Sequence, residues 1–454
     1  MVIQAYRFAL DPLPNQEREL RSHCGAQRFA YNWGLKRIRA NLGQREAEVS
    51  YGLSGGELTP VVAWSAYGLR RDWNRAKDVV APWWAENSKE AYASGLANLA
   101  AALKNWSDSR TGVRAGPAMR FPRYKRKSGA MSVRFTTGAL GLADDRRHVR
   151  LPRIGTVRTC ESTRKLARHL DRGTGRVRSA TVSLRAGTWF VSFSVEITRA
   201  DPRPLRVNEV VGVDLGVRSM AVLSNGEVVA NPRLLERSSR RVRVLQRRAA
   251  RRRGCDKRDR SSPSKRWLRT RALLVRAHSR VADLRRDGLH KLTTALVRRY
   301  GTIVIEDLHI AGMLANRRLA RVISDVGWGE FRRQLEYKAE WAGVRLLVAD
   351  RWYPSSKRCS QCGVVKTKLR LNDRTFECDS CGVTLDRDLN AARNLAALAT
   401  TSSASCAGTK NSLDGNSGKP RGSRATGTAT RRPAPAGVGQ RKRSNPPARD
   451  ARPS

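Results

Sequence analysis

The sequence predicts an α/β fold, a mixed sheet with helices on its faces, and three observations carry that expectation. "EVVGVDLGVRSMAVLSNGEVVA", residues 209–230, holds three strand-like runs, the last two joined by the turn signal "SNGE". Residues 264–300 then read as one helix, whose apolar stripe includes Leu274, Val281, Leu284, Leu292 and Leu296. "GTIVIEDL", the helix-like "ISDVGWGEFRRQLEYKAEWAG" and "VRLLVAD" complete a strand, helix, strand order. Such an order is compatible with a ribonuclease H-like core.

The elements ahead of it follow a different grammar. "MVIQAYRFALDPLP" alternates as a strand and ends in a proline turn. A long helix follows, with Leu20, Cys24, Trp33 and Leu35 at roughly helical spacing, and further helices are predicted over 63–77 and 86–106. The basic segment "MRFPRYKRKSG" separates them from strands near 132–136, 157–160, 178–184 and 188–197, the last two joined by the hairpin signal "RAGT". Residues 1–205 are therefore read as one lobe, a helical part of about 11–120 inserted in a small β-barrel-like module. "RADPRPLRVNE" marks a linker, 206–399 the second unit, and 400–454 a tail expected to be disordered, being rich in Ser, Gly, Pro, Ala and Arg.

Charge narrows the class of partner. The 454 residues hold 89 Lys and Arg against 39 Asp and Glu, a net charge of +50. So large an excess calls for a polyanion, and nucleic acid fits because every phosphate carries a charge. A membrane surface is the competing polyanion, but no transmembrane run or apolar signal-peptide core is present. Scattered single cysteines outside one paired group indicate cytoplasmic rather than secreted usage. Nearly half of residues 237–266 are Lys or Arg, either a nucleic-acid surface or a solvated charged face. Trp33, Trp73, Trp83, Trp84 and Trp106 are either base-stacking platforms or helix-packing residues, the latter favoured.

Cys359, Cys362, Cys378 and Cys381 form Cys-x2-Cys-x15-Cys-x2-Cys, the strongest single signal in the chain. Four thiolates at this spacing close a tetrahedral shell around Zn2+ and leave no open position, so the metal is expected to be structural, in a zinc ribbon over 355–384. A second signal is a set of carboxylates in apolar surroundings. Asp214 ends "VVGVD", Glu306 ends "TIVIE", and Asp388 opens the helix "LNAARNL". If the two strands are neighbours, both acids emerge at one sheet end and Asp388 closes a triangle. Such a triad suits two Mg2+ ions about 3.5–4 Å apart, an arrangement made for in-line phosphoryl chemistry. Taken singly, Asp214 is equally a turn cap and Asp388 equally the N-cap of its helix. Asp307, Asp350 and Asp386 are near rivals read as turn or solvent-facing residues.

"GVDLGVRSMAVLSNG", "TIVIEDLHIAGM", "YPSSKRCSQCG…CDSCG" and "DRDLNAARNL" occur in an order that resembles the TnpB family of insertion-sequence proteins. "YRFALDPLPNQERELRSHCGAQRFAYNWGL" is similar to that family's N-terminal segment, and "FPRYKRKSG" to its mid-chain basic motif. The resemblance covers roughly residues 3–399. It implies an RNA-guided DNA endonuclease with a RuvC-like nuclease domain, related to type V CRISPR effectors. Asp214, Glu306 and Asp388 match the family's catalytic acids, expected to hold two Mg2+ ions, with Mn2+ as a substitute. The implied partners are a guide RNA from the transposon end and double-stranded target DNA, in the cytoplasm beside the nucleoid. A non-cleaving RNA-guided regulator and a transposase accessory protein are the competing readings.

Overall fold

The computed structural model describes residues 1–199, 206–254, 261–370 and 372–404. Most of the expected tail, the core of the linker and part of the arginine-rich stretch (255–260) lie outside the described residues. In chain order, the first elements are β1 (Val2–Asp11), α1 (Pro14–Ser50), α2 (Ala66–Val80), α3 (Lys89–Arg110), β2 (Met131–Phe135), β3 (Gly141–Leu142), β4 (His148–Leu151), β5 (Gly155–Thr159), α4 (Arg164–Asp171), β6 (Gly175–Arg185) and β7 (Thr188–Ile197). The strands form a seven-stranded antiparallel sheet, ordered β2-β6-β7-β1-β5-β4-β3. The β6–β7 hairpin turns on Ala186 and Gly187, with φ of 52° and 85°. Two central residues with positive φ are what a tight two-residue hairpin needs to match strand twist.

The barrel expectation is corrected: β2 and β3 are the two edges, and no pairing joins them among the described residues. β3 is only two residues long, too short a ladder to close a sheet on. β4 and α4 are elements the periodicity did not expose. Helices α2 and α3 start three residues later than predicted, each after a capping serine: the Ser65 hydroxyl accepts from Gly68 N at 3.0 Å and that of Ser88 from Glu90 N at 3.3 Å. Helices α1–α3 share a core with the sheet that includes Leu20, Leu35, Leu69, Leu96, Phe135 and Phe193. Trp73 belongs to it, stacked on Tyr92 at 4.9 Å and edge-on to Trp33 and Phe29, so it packs helices.

The remaining elements are β8 (Val210–Asp214), β9 (Ser219–Leu223), β10 (Val228–Ala230), α5 (Leu234–Ala250), α6 (Lys265–Arg299), β11 (Thr302–Glu306), α7 (Ile310–Ala315), α8 (Ala320–Val326), α9 (Trp328–Ala342), β12 (Arg345–Ala349), β13 (Thr375–Glu377), β14 (Thr384–Asp386) and α10 (Arg387–Ala404). Five strands make a mixed sheet, β10-β9-β8-β11-β12, antiparallel through β8 and parallel from β8 to β12. Strand residues alternate between faces, so the two sides can be read directly. Val211, Val213, Ile303 and Ile305 pack with Leu289 and Leu296 of α6 and Phe331 and Leu335 of α9. Val304 and Ala349 face the other way, onto Leu395 and Ala399 of α10. Of the stripe predicted on α6, Leu274, Val281 and Leu296 are buried, whereas Leu284 is exposed.

Gly212 sits on the α10 face of β8. A Cβ there would lie 2.0 Å from the Ala392 carbonyl oxygen and 2.5 Å from the Ala396 nitrogen, so only glycine lets the helix lie this close to the strand. Both obstructing atoms are backbone and cannot rotate aside. Gly212→Ala is therefore expected to cost about 1–3 kcal/mol or more of stability. It should also push α10 outward; thermal unfolding together with hydrogen exchange along α10 checks both effects. Among the described residues, no helix is long and apolar enough to cross a membrane.

Candidate active site and cysteine cluster

β8 and β11 run parallel in register, Val213 beside Ile305, which brings Asp214 and Glu306 to neighbouring strand ends. Alternation puts both acids on the same side as Gly212 and Val304, the side that α10 covers. Asp388 lies in the first turn of α10. The carboxyl of Asp214 is pushed well above its ordinary range, first by burial and then by the negative charges of Glu306 and Asp388, with Arg387 opposing. Glu306 and Asp388 are thus both near enough to Asp214 to act on its charge.

The capping alternative for Asp388 fails, because another residue fills that role. Asp386 Oδ1 accepts from the backbone N–H of Asp388 at 2.9 Å and of Leu389 at 3.0 Å. Asp386, read from the sequence as a turn residue, is the cap that leaves the Asp388 side chain free of this duty. Asp307 is engaged twice, by Arg332 and Arg351, each at 2.6 Å, which hold its carboxyl below the usual range. Asp350 accepts from Trp352 N at 2.8 Å and shapes the loop after β12.

Sequence reasoning missed three residues at this site. Ser355, buried, donates its hydroxyl to Glu306 Oε1 at 2.5 Å. Asn394, buried one turn beyond Asn390 on α10, donates to the carbonyls of Ser355 at 2.8 Å and Arg358 at 2.6 Å. Asn390 donates to Arg358 O at 2.7 Å and accepts from Ser360 N at 2.9 Å. Their spacing of four on one helix was the available signal, since i and i+4 share a face.

The four cysteine sulfurs lie within 4.8 Å of one another, with Cys359 and Cys381 3.6 Å apart and Cys362 and Cys378 3.5 Å apart. Two equivalent turns build the cluster. Gly363 N donates to Cys359 O and Gly382 N to Cys378 O, both at 3.0 Å, with positive φ of 78° and 70° at the glycines. Backbone N–H groups of Cys381 and Ser380 pull the Cys378 thiol down to about 6. Zinc–sulfur bonds of about 2.3 Å in a tetrahedron place sulfurs roughly 3.8 Å apart, so the donor set fits Zn2+. β13 and β14 flank the second turn as a hairpin, and among the described residues the buried core here is Phe376 with Cys359 and Cys378.

Three family models match the chain. One described as "Probable transposase" matches residues 192–317, "Cas12f1-like, TNB domain" matches 328–395, and "Helix-turn-helix domain" matches 1–46. Residues 1–46 here form β1 and an unbroken part of α1. Relatives carrying the name "Putative RNA-guided DNA endonuclease" include one from Mycobacterium tuberculosis (strain ATCC 25618 / H37Rv), 39% identical over 414 residues, 87% of this chain and 86% of that protein. Another, from Streptomyces pristinaespiralis, is 36% identical over 89% of this chain and 91% of its own length. One from Escherichia coli (strain K12) is 30% identical over 87% and 92%.

Proposed function

This chain belongs to the TnpB family of insertion-sequence proteins, and we propose that it is an RNA-guided DNA endonuclease whose active site is Asp214, Glu306 and Asp388. The observation that carries this reading is the convergence of three acids from β8, β11 and α10 on one side of the mixed sheet. Three like charges in a part-buried site repel one another, an arrangement that divalent cations relieve. Bound Mg2+ or Mn2+ would supply Lewis acidity for hydrolysis of a phosphodiester. Asp214, Glu306 and Asp388 would hold the cations, and the five-stranded sheet with its flanking helices would act as a RuvC-like nuclease domain over 206–399. The cysteine cluster would hold a structural Zn2+ beside it.

The excess of 50 positive charges supports a nucleic-acid channel that grips an RNA–DNA duplex by its backbone and leaves sequence choice to base pairing. The first lobe, 1–205, would contribute to that channel. A guide RNA from the transposon end and double-stranded DNA are the proposed partners. The regulator reading is less well supported, because all three acids are retained and brought together.

The test begins with purification of the full chain from its native locus, Mg2+ withheld, and sequencing of the RNA that accompanies it. A discrete RNA is expected, ending beyond the transposon boundary. Replacing that end with a chosen sequence should redirect Mg2+-dependent cutting to the matching DNA. Heterogeneous cellular RNA, with no cutting that follows the supplied guide, would overturn the proposal.

A further inference from the structure

We propose that Ser355 is a positioning residue for Glu306, and that Asn390 and Asn394 tie this contact to both the cysteine cluster and Asp388. The inference rests on the nuclease reading above. A buried hydroxyl normally seeks a partner, and a carboxylate reached at 2.5 Å lies at the short, charge-assisted end of the range. That bond fixes Oε1 and so holds the Glu306 carboxylate in one orientation, with lone pairs left on both oxygens for a cation. Without the hydroxyl, Glu306 is an unanchored side chain with several rotamers.

Ser355 is in turn held from behind. Its carbonyl accepts from Asn394 Nδ2 at 2.8 Å, and the same amide donates to Arg358 O at 2.6 Å, which uses both of its N–H bonds. Asn390 clasps Arg358 and Ser360 on either side of Cys359. Tyr353 adds a fifth hydrogen bond, its hydroxyl donating to the Asn394 carbonyl at 3.2 Å. Asp388 stands two residues before Asn390 on the same helix. The segment 353–360 therefore joins three things, the carboxylate on β11, the first cysteine pair and the helix that delivers Asp388. Outer-layer hydrogen bonds of this kind orient metal ligands and tune affinity.

The experiment uses the full chain with its co-purified RNA, in four forms: wild type, Ser355→Ala, Ser355→Thr and Asp214→Ala. Free Mn2+ is followed by electron paramagnetic resonance during titration without DNA, and Mg2+ half-saturation is measured for cleavage. Ser355→Ala is expected to weaken Mn2+ binding by about 10–100-fold, the usual effect of removing an outer-layer partner. Mg2+ half-saturation should rise in parallel, while zinc content and melting temperature stay at wild-type values. Ser355→Thr, which keeps the hydroxyl, should recover most of the affinity. If the added methyl unfolds the segment, the alanine variant alone decides.

Wild-type Mn2+ affinity in Ser355→Ala would overturn the positioning role. So would a well-folded Ser355→Thr as impaired as the alanine form. Asp214→Ala separates the two levels of the argument. If it binds Mn2+ and cleaves as wild type does, the metal-site reading itself fails. If it loses both while Ser355→Ala is unaffected, only the positioning role falls.

Discussion

Asp214→Ala is expected to lower the cleavage rate by at least about a hundred- to a thousandfold, the scale on which one preorganised electrostatic group is missed. Guided binding to matching DNA should survive, because the lost group is an anion and phosphate is gripped by cations. Cleavage time courses and band-shift titrations on the same preparations measure the two separately; retained cutting would contradict the site. The same residue predicts a pH dependence. In the metal-free chain the Asp214 carboxyl is raised above its ordinary 3.8 by burial and by Glu306 and Asp388. A raised carboxyl binds its proton more tightly folded than unfolded, so its contribution to stability is present below 3.8 and is lost as pH climbs through the raised value. Chelator-treated protein should therefore melt at lower temperature as pH rises through that window. Asp214→Asn should flatten the slope, and cleavage should fail on the acid side, where a protonated Asp214 no longer holds a cation.

The second large effect is expected from Cys359→Ser combined with Cys362→Ser. Structural zinc sites in small peptides contribute about 10–16 kcal/mol of apparent binding energy at neutral pH, most of it folding energy. Nothing local replaces it here, since the hairpin buries little beyond Phe376 and the cysteines themselves. Loss of zinc should loosen residues 357–386 and, through Arg358 and Ser360, release the grip of Asn390 and Asn394. Cleavage should disappear while the seven-stranded sheet stays folded, because its core draws on residues 8–197 only. Metal analysis, limited proteolysis and a cleavage assay read these three consequences. Full activity in a zinc-depleted sample would sink the link between cluster and site.

The parts of this site that were legible in the sequence are those with a local cause. "VVGVD" and "TIVIE" announce themselves as buried strands ending in acids, and two Cys-x2-Cys pairs need no partner to be recognised. That Asp214 and Glu306 share the Gly212 face follows only from the parallel register of β8 and β11, which no local pattern shows. Ser355 was invisible for the opposite reason: its partner lies 49 residues away, and no property of "YPSSK" separates this serine from its neighbour. Asp386 and Asp388 are likewise indistinguishable until the cap geometry shows which one faces the helix N–H groups. The open edge of the seven-stranded sheet depends on a two-residue strand, below what alternation can register. Leu284 shows the converse failure, a residue placed on the apolar stripe that meets solvent.

The close seat of α10 on Gly212 also has a consequence in time. During synthesis β8 leaves the ribosome about 180 residues before α10 does, and at roughly 5–20 residues per second that interval lasts on the order of 10–40 s. Throughout it the Gly212 face of β8 lacks its cover, and Asp388 is not yet part of the chain. The nascent protein can therefore gather its early helices and strands before the proposed cutting centre is complete. Asp388 joins Asp214 and Glu306 only when α10, the helix that lies against Gly212, has been made.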